Sequence, residues 1–417
     1  MLPRLFTCCL TVLLATPVLA SAPDLFGYGA RAIGQAGAVA TAPRGVAAMF
    51  YGPAALAFER RPKVSLGFQH ADFDLHLDGA PFELDAATAT TIGLVLPLGF
   101  GGILADRLVA GTAFVTPTDA ILVAHLPAVH QPRFPVVGHR ARTVTLQAAL
   151  GLRLSDELAI GAGLLALAAL DGGIDVAPNE EGRIGSVART QLLADYAPIV
   201  SALARLPRAV RLAVAYRGES IARFSLPLVA DLGPSFPLPL PELVVEGVVQ
   251  YDPSQWDSEV AVDVIPALRT AAGVTWKQWS AYPQPIVYPA VPAAFPAQPL
   301  PNFKDVIELR FGGEYTLGRL TPRAGYRYVP SPVPSQTGAR NDLDNTRHVV
   351  AIGASFAWSA LTLDVGAQWH HLVPRRHEKD PTEIEASGFP SEDYPGMPSI
   401  EHAGSLWIVG VELEMTL

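Results

Sequence analysis

Six charged residues recur through the C-terminal half: Glu308, Arg310, Glu314, Arg323, Arg327 and Asp364. Arginine is the natural partner of a carboxylate because its planar fork meets both oxygens. Arg310, Arg323 and Arg327 are therefore candidates to receive the head group of an acidic solute, while the same six charges would equally pair with one another in a wet interior. Histidines form two loose groups, His370, His371 and His377 with Glu378 and Asp380, and His125, His130 and His139. Neither has a regular ligand spacing, so no metal and no cofactor is assigned, and solvated loops account for both groups. No G-x-S-x-G and no H-E-x-x-H occurs, so no catalytic residue is assigned. Gly27-x-Gly29-x-x-Ala32 has the outline of a dinucleotide fingerprint, but no strand precedes it and no βαβ unit follows.

The elements that position these groups follow from composition. The chain has 417 residues, 50% hydrophobic and 17% charged, with 36 Gly, 38 Pro and a net charge of −9. An acidic balance with scattered Lys and Arg excludes a nucleic-acid face. Such an apolar chain suggests contact with lipid, yet its only apolar run away from the N-terminus, Leu158 to Leu170, falls short of the roughly 20 residues a spanning helix needs. Residues 1–22 read as a secretory signal: Arg4, an apolar stretch, then small residues before Pro23. Both cysteines, Cys8 and Cys9, lie within it, so the mature chain has neither disulfides nor thiolate sites. An exported, cysteine-free, lipid-compatible chain without a spanning helix fits a bacterial outer-membrane β-barrel.

Period-two patterning supports this. Ile307, Leu309, Phe311, Tyr315 and Leu317 alternate with Glu308, Arg310, Gly312, Glu314 and Thr316. Leu361, Leu363, Val365, Ala367 and Trp369 alternate with polar or small residues, and so do Trp407, Val409, Val411, Leu413, Met415 and Leu417. Within Leu158–Leu170, small Ala159, Gly161 and Gly163 face inward, where something fills the lumen. Tight turns at Leu317–Leu320, Trp358–Ala360 and Leu154–Leu158 alternate with long connections at 282–304, 330–345 and 372–403, as the two rims of such a barrel do. The expectation is all-β: a transmembrane antiparallel barrel of about 14 strands over residues 63–417. The stretch 184–266, interrupted by prolines, is least defined.

Residues 23–62 differ in kind. They are rich in Gly and Ala, with aromatic points at Phe26 and Phe50-Tyr51, and are too apolar for a solvated tail, so they form a plug in the barrel. Gly29-Ala-Arg31-Ala-Ile-Gly34-Gln-Ala-Gly37, followed by Ala47-Ala-Met-Phe-Tyr51-Gly-Pro-Ala54, resembles the N-terminal hatch of the FadL/TodX family of outer-membrane hydrophobe transporters. Asn302-Phe-Lys-Asp305, Arg323-Ala-Gly-Tyr326, Ser331-Pro-Val-Pro334, Asp342-Leu-Asp-Asn-Thr-Arg347 and Trp276-Lys-Gln-Trp279 resemble its C-terminal strands and loops, in the same order. Two positions depart from the pattern. Gly52 stands where the hatch Asn-Pro-Ala motif has Asn, and Leu417 replaces the usual terminal aromatic.

The resemblance implies a passive channel for fatty acids or aromatic hydrocarbons, monomeric, inserted by the barrel-assembly machinery and surrounded by lipid and lipopolysaccharide. It implies a pocket above the hatch near Phe26, Phe50, Tyr51, Pro53, Ala54 and Phe114, and sideways release at a kinked third strand, with Gly111 as the kink. The proline-stiffened loop with Tyr282, Tyr288 and Phe295 is a capture surface or, alternatively, a rigid lid. The acidic stretch 378–401 has the composition to bind calcium or to bridge lipopolysaccharide. An adhesive or structural barrel and, less favoured, an outer-membrane lipid hydrolase stay open beside the channel.

Overall fold

The structure, a computed structural model, describes residues 23–118, 130–138, 144–178, 184–230, 243–287 and 299–417. Fourteen strands close a ring in which every neighbour pair is antiparallel. They are β1 Lys63–Leu77, β2 Ala87–Leu98, β3 Leu108–Pro117, β4 Thr145–Arg153, β5 Leu158–Pro178, β6 Ile184–Leu206 and β7 Val210–Arg217, then β8 Gln255–Ile265, β9 Leu268–Lys277, β10 Val306–Tyr315, β11 Leu320–Val329, β12 Arg347–Trp358, β13 Leu361–Glu378 and β14 Ser399–Thr416. β1 and β14 close the ring in unbroken register from Lys63↔Thr416 to Leu77↔His402. A closed ring leaves no strand edge, the condition for placing a sheet in hydrocarbon.

The least-defined stretch, 184–266, holds three ring strands and one excursion. β7 pairs directly with β8, from Val262↔Val210 to Gln255↔Arg217. Between them, Ser220–Ala230 and Leu243–Asp252 form a hairpin that leaves the ring. Ser220–Ala230 lies parallel to the far half of β5, from Leu170↔Phe224 to Val176↔Ala230. β5 and β6, at 21 and 23 residues, exceed the ~9–11 needed to cross a bilayer and rise above it. The expected long connection 372–403 is shorter than its sequence suggests, because β13 continues to Glu378 and β14 begins at Ser399. A short helix, Pro381–Ala386, occupies part of the remainder, with the Asp380 carboxylate accepting the Thr382 N–H at 2.8 Å.

Alternation sorts the wall into two faces. Ile307, Phe311, Val350, Ile352, Trp407 and Val411 are exposed outward, whereas Glu308, Arg310, Gln368 and His370 point inward and are buried. Polar side chains are buried here because the lumen is filled. Three short helices, Pro23–Phe26, Ala30–Ile33 and Val46–Tyr51, and a 3-10 turn, Pro53–Phe58, pack inside the ring. Helices of four to six residues are not stable alone, so the wall holds them in place. Their seats are inward glycines. A Cβ on Gly161 would collide with the Ala54 backbone, one on Gly151 would lie 2.6 Å from Ala57 N, and those on Gly325 and Gly366 would strike the backbone at Gln35 and Ala30. Within the plug, Gly29 has φ of 82° and its Cβ position lies 2.6 Å from a Glu412 oxygen, so both conformation and space require glycine there.

Gly161→Val should therefore leave the ring closed but unseat the plug. The folded variant should keep its heat-dependent shift in detergent gels and become cleavable by trypsin at Arg31, which is buried in the parent. An uncleaved plug in the folded variant would contradict the seat.

Candidate functional site

The plug is tied to the wall by side chains from several strands. Ser201 Oγ accepts the Ala54 N–H at 2.8 Å. Arg217 donates to the Phe50 carbonyl at 2.9 Å and its guanidinium lies 4.2 Å from the Phe50 ring centre. The Glu259 carboxylate accepts from both Thr41 N and Thr41 Oγ1 at 2.8 Å, Glu412 accepts from Ala30 N at 3.1 Å, and Gln368 donates to the Ile33 carbonyl at 2.8 Å. These wall residues tether the plug. Ser201 and Arg217 in particular grip the residues flanking Gly52.

The inward arginines are committed to carboxylates. Arg310 makes a two-pronged contact with Asp257, Nη1 to Oδ2 at 2.7 Å and Nη2 to Oδ1 at 2.6 Å, and Thr275 donates to the same carboxylate at 3.2 Å. Arg323 pairs with Asp364 at 2.6 Å. Glu308 is shared by Arg327 and by Lys277, the latter at 2.9 Å. Glu314 takes Arg31 of the plug at 2.6 Å and Arg269 at 3.1 Å. Arg310, Arg323 and Arg327 thus bind the barrel's own acids rather than presenting an open fork to a head group. Of the two readings of these charges, mutual pairing is the one the geometry supports.

Other sequence-predicted positions also fall differently from expectation. Phe50 stacks on Tyr28 at 5.6 Å and meets Tyr51 edge-on at 5.1 Å, within the plug's own core. Pro53 and Ala54 lie against Gly161. Phe50, Tyr51, Pro53 and Ala54 thus dock the plug. Gly111 does not kink β3, which pairs with β2 and β4 without a register shift through this position. The glycine is there because Met49 Sδ lies 2.9 Å from where its Cβ would sit. Phe114 faces outward, opposite the exposed Ile92, because the buried inward residues of β3 are Gly111, Ala113 and Val115. His370 and His377 are buried rather than solvated, and among the described residues no group of three or more His, Asp or Glu forms a metal cluster. His125 and His139 lie outside the described residues, as do Tyr288 and Phe295.

Phe26 and Tyr282 do meet apolar surfaces, at the rim with the long connections. Tyr282 stacks on Phe303 at 4.3 Å and 4°, and Tyr251 meets it edge-on at 5.5 Å. With Trp279, Val136 and Val333 they form one aromatic cluster. A second cluster joins Phe26 to Ala71, Leu75, Ala87, Phe134, Val137, Leu343 and Ile408. The consecutive residues Val136 and Val137 belong one to each cluster, so segment 134–137 links them. Phe134 carried no signal of its own in the sequence, because it lies in an irregular loop.

The second cluster ends at an interruption of the wall. β1 and β2 pair from Lys63↔Val95 to Ala71↔Ala87 and then part, and the wall resumes only in the small hairpin Leu75↔Phe82 to Leu77↔Ala80. A narrow, closely packed crevice lies there, lined among others by Phe26, Ala71, Ala87, Ala89 and Ile408. Phe73, in the part of β1 left unpaired on the β2 side, lies 6.2 Å from Phe26. The break sits at the level of Trp407, which pairs with Asp72 and is exposed on the outer surface beside Trp369, as a membrane-interface aromatic would be.

A closed 14-strand antiparallel barrel with a plugged lumen is the class that the fold defines. Residues 244–396 match the family model of outer membrane protein transport proteins (OMPP1/FadL/TodX). The same fold occurs in a Pseudomonas aeruginosa FadL homologue, at 15% identity and TM-score 0.60 over 96% of this chain and 98% of that one. It occurs in the Pseudomonas putida toluene transporter TodX, at 14% and 0.57 over 94% and 99%, and in the CymD monoaromatic hydrocarbon channel, at 13% and 0.56 over 94% and 98%. At these identities the likeness is one of fold. No curated relative matches by sequence. The resemblance to the FadL/TodX family holds in sequence over the C-terminal segment and in fold over nearly the whole chain.

Replacing Arg310 with Met should strand the buried Asp257 charge and cost about 3–5 kcal/mol. The double replacement Arg310→Met with Asp257→Leu should recover most of that loss. Urea unfolding of the protein in lipid vesicles reads both. A double variant no more stable than the single one would contradict the pairing.

Proposed function

We propose that this protein is a passive outer-membrane channel for hydrophobic molecules, long-chain fatty acids or aromatic hydrocarbons, with a route that runs beside the plug. The observation that carries this reading is the continuity of apolar surface from the Tyr282–Phe303 stack, through segment 134–137, to Phe26 and the interruption between β1 and β2. A solute captured at the aromatic cluster gains about 0.8 kcal/mol for each methylene it buries, so accumulation needs no energy source. Release is lateral, through the break at residues 72–74, into lipid at girdle height. Passage straight down the axis would require moving the plug off its glycine seats and breaking its hydrogen bonds to Ser201, Arg217 and Glu259.

A strain lacking the protein should take up long-chain fatty acids or monoaromatic hydrocarbons more slowly, with extracellular lipid hydrolysis unchanged. Restoring the protein as Ala87→Trp, which fills the crevice at the wall break, should give the uptake of the deletion strain although the variant folds and reaches the membrane. Normal uptake of every hydrophobe by the deletion strain would sink the channel reading. Full rescue by Ala87→Trp would sink only the lateral route.

A further inference from the structure

The loop 330–346 closes the lumen from the long-connection side, with Val333, Ala339, Asn341, Asp342, Leu343, Asp344 and Asn345 all buried. Two histidines from the wall hold it. His377, at the end of β13, and His402, at the start of β14, are both about 1% exposed, with Nε2 to Nε2 at 3.1 Å and rings stacked at 5.1 Å. The Gln336 N–H donates to His377 Nδ1 at 3.1 Å. That nitrogen is therefore the acceptor, and the His377 proton sits on Nε2, aimed at His402 Nε2. His402 in turn carries its proton on Nδ1 and gives it to Asn345 Oδ1 at 2.8 Å. The Asn345 amide is oriented independently, because its nitrogen donates to the carbonyls of Val373 at 2.8 Å and His402 at 3.0 Å. The direction of the whole chain is thus fixed by backbone contacts at both ends, one at Gln336 and two at Asn345. It closes only when both imidazoles are neutral, since an added proton must land on His377 Nδ1, against the Gln336 N–H, or on His402 Nε2, against the His377 proton.

We infer that His377 and His402 form an acid-sensitive latch that fastens the loop 330–346 to β13 and β14 and lets it go when either ring is protonated. Both residues lie beyond the Trp369–Trp407 girdle, outside the bilayer band. Arg375 and Lys379 on the same chain segment, with burial, resist a proton on the closed pair. Asp342 and Asp344 lie in the loop itself, Asp342 on Arg133 and Arg340; Phe134, next to Arg133, meets His402 edge-on at 5.7 Å, and Asp78 and Glu401 bond to each other beside it. The sign follows from linkage. A freed imidazole takes up its proton near pH 6.5 whereas the latched one resists, so closure weakens by up to about tenfold per pH unit per histidine as pH falls below the ordinary imidazole range. The second fastening of the loop, Arg133 on Asp342 at 2.6 Å, is reinforced within the loop by Arg340 on the same carboxylate at 2.7 Å and persists through that range. Burial opposes the Asp342 charge, but the two guanidiniums hold its carboxyl below the usual value. Release is therefore local, at Gln336 and Asn345, and it loosens the packing of Leu343 against Phe134 and Phe26. Its effect on uptake rests on the lateral route proposed above. The latch itself does not.

Amide hydrogen exchange on the full-length protein in lipid tests it. Protection of the Gln336 amide, corrected for the intrinsic pH dependence of exchange, should fall at least ~tenfold between about pH 7.5 and about pH 4.5. In His377→Leu/His402→Leu it should be low and independent of pH, whereas Asp344→Asn should keep the parental transition, because burial raises that carboxyl and makes it the competing cause. Unchanged parental protection, or a transition surviving in the double variant, would overturn the latch. Should the double variant fail to fold, nitrogen NMR of the parent decides: Nε2–H on His377 and Nδ1–H on His402 at neutral pH support the latch, and any other tautomer pair refutes it.

Discussion

The closeness of the plug backbone to the wall governs the rest of this structure. Gly151, Gly161, Gly325 and Gly366 let the plug approach to distances no side chain would permit. Once the lumen is filled to that degree, little water remains to solvate inward charges, and each must find a protein partner. Asp257 with Arg310, Glu308 with Lys277 and Arg327, and Glu314 with Arg31 and Arg269 follow from that requirement. Arginine dominates the set because one guanidinium satisfies both oxygens of a buried carboxylate.

The same tight fit leaves continuous apolar surface only towards the periphery among the described residues. In a barrel whose axis holds Phe50, Tyr28 and Met49 in one packed core, the apolar surface that still reaches the exterior lies between plug and wall. Phe26 is the plug residue on that boundary. The interruption at residues 72–74 falls beside it because β1 outruns β2 and must pair with a separate hairpin to reach the rim. A wall break costs backbone hydrogen bonds, and girdle height is where water or head groups can replace them, which deeper in the hydrocarbon nothing does.

The ring was legible in the sequence because strand periodicity and turn lengths are local signals. The outward runs ending in Leu317 and Leu417 and the tight turn at Leu154–Leu158 stand where the alternation placed them. The inward placement of Arg310, Arg323 and Arg327 was equally legible. Their partners were not, since Asp257 lies 53 residues from Arg310 and only ring closure brings them together. Gly111 and Phe114 show the same limit from another side. A glycine in a strand marks either a bend or a close approach, and only the position of Met49 decides between them. Phe114 was misplaced by one step of the alternation, which reverses the face of a strand residue.

The histidines illustrate how far burial depends on what covers a segment. Read along the chain, His377 sits among Arg376, Glu378, Lys379 and Asp380, a solvated context by composition. In the fold, the loop 330–346 lies over it, and a ring that would have faced water instead meets a backbone N–H on one side and a second imidazole on the other. No ligand-spacing rule finds such a pair, because His402 arrives from another strand and Asn345 from a loop. Its constraint is also unlike that of the ion pairs deeper in the barrel. Those are held by opposite charges, whereas a chain of neutral donors and acceptors has a single allowed proton arrangement. Two fastenings on one loop, one that acid releases and one that it leaves in place, divide it into a part that can leave and a part that stays.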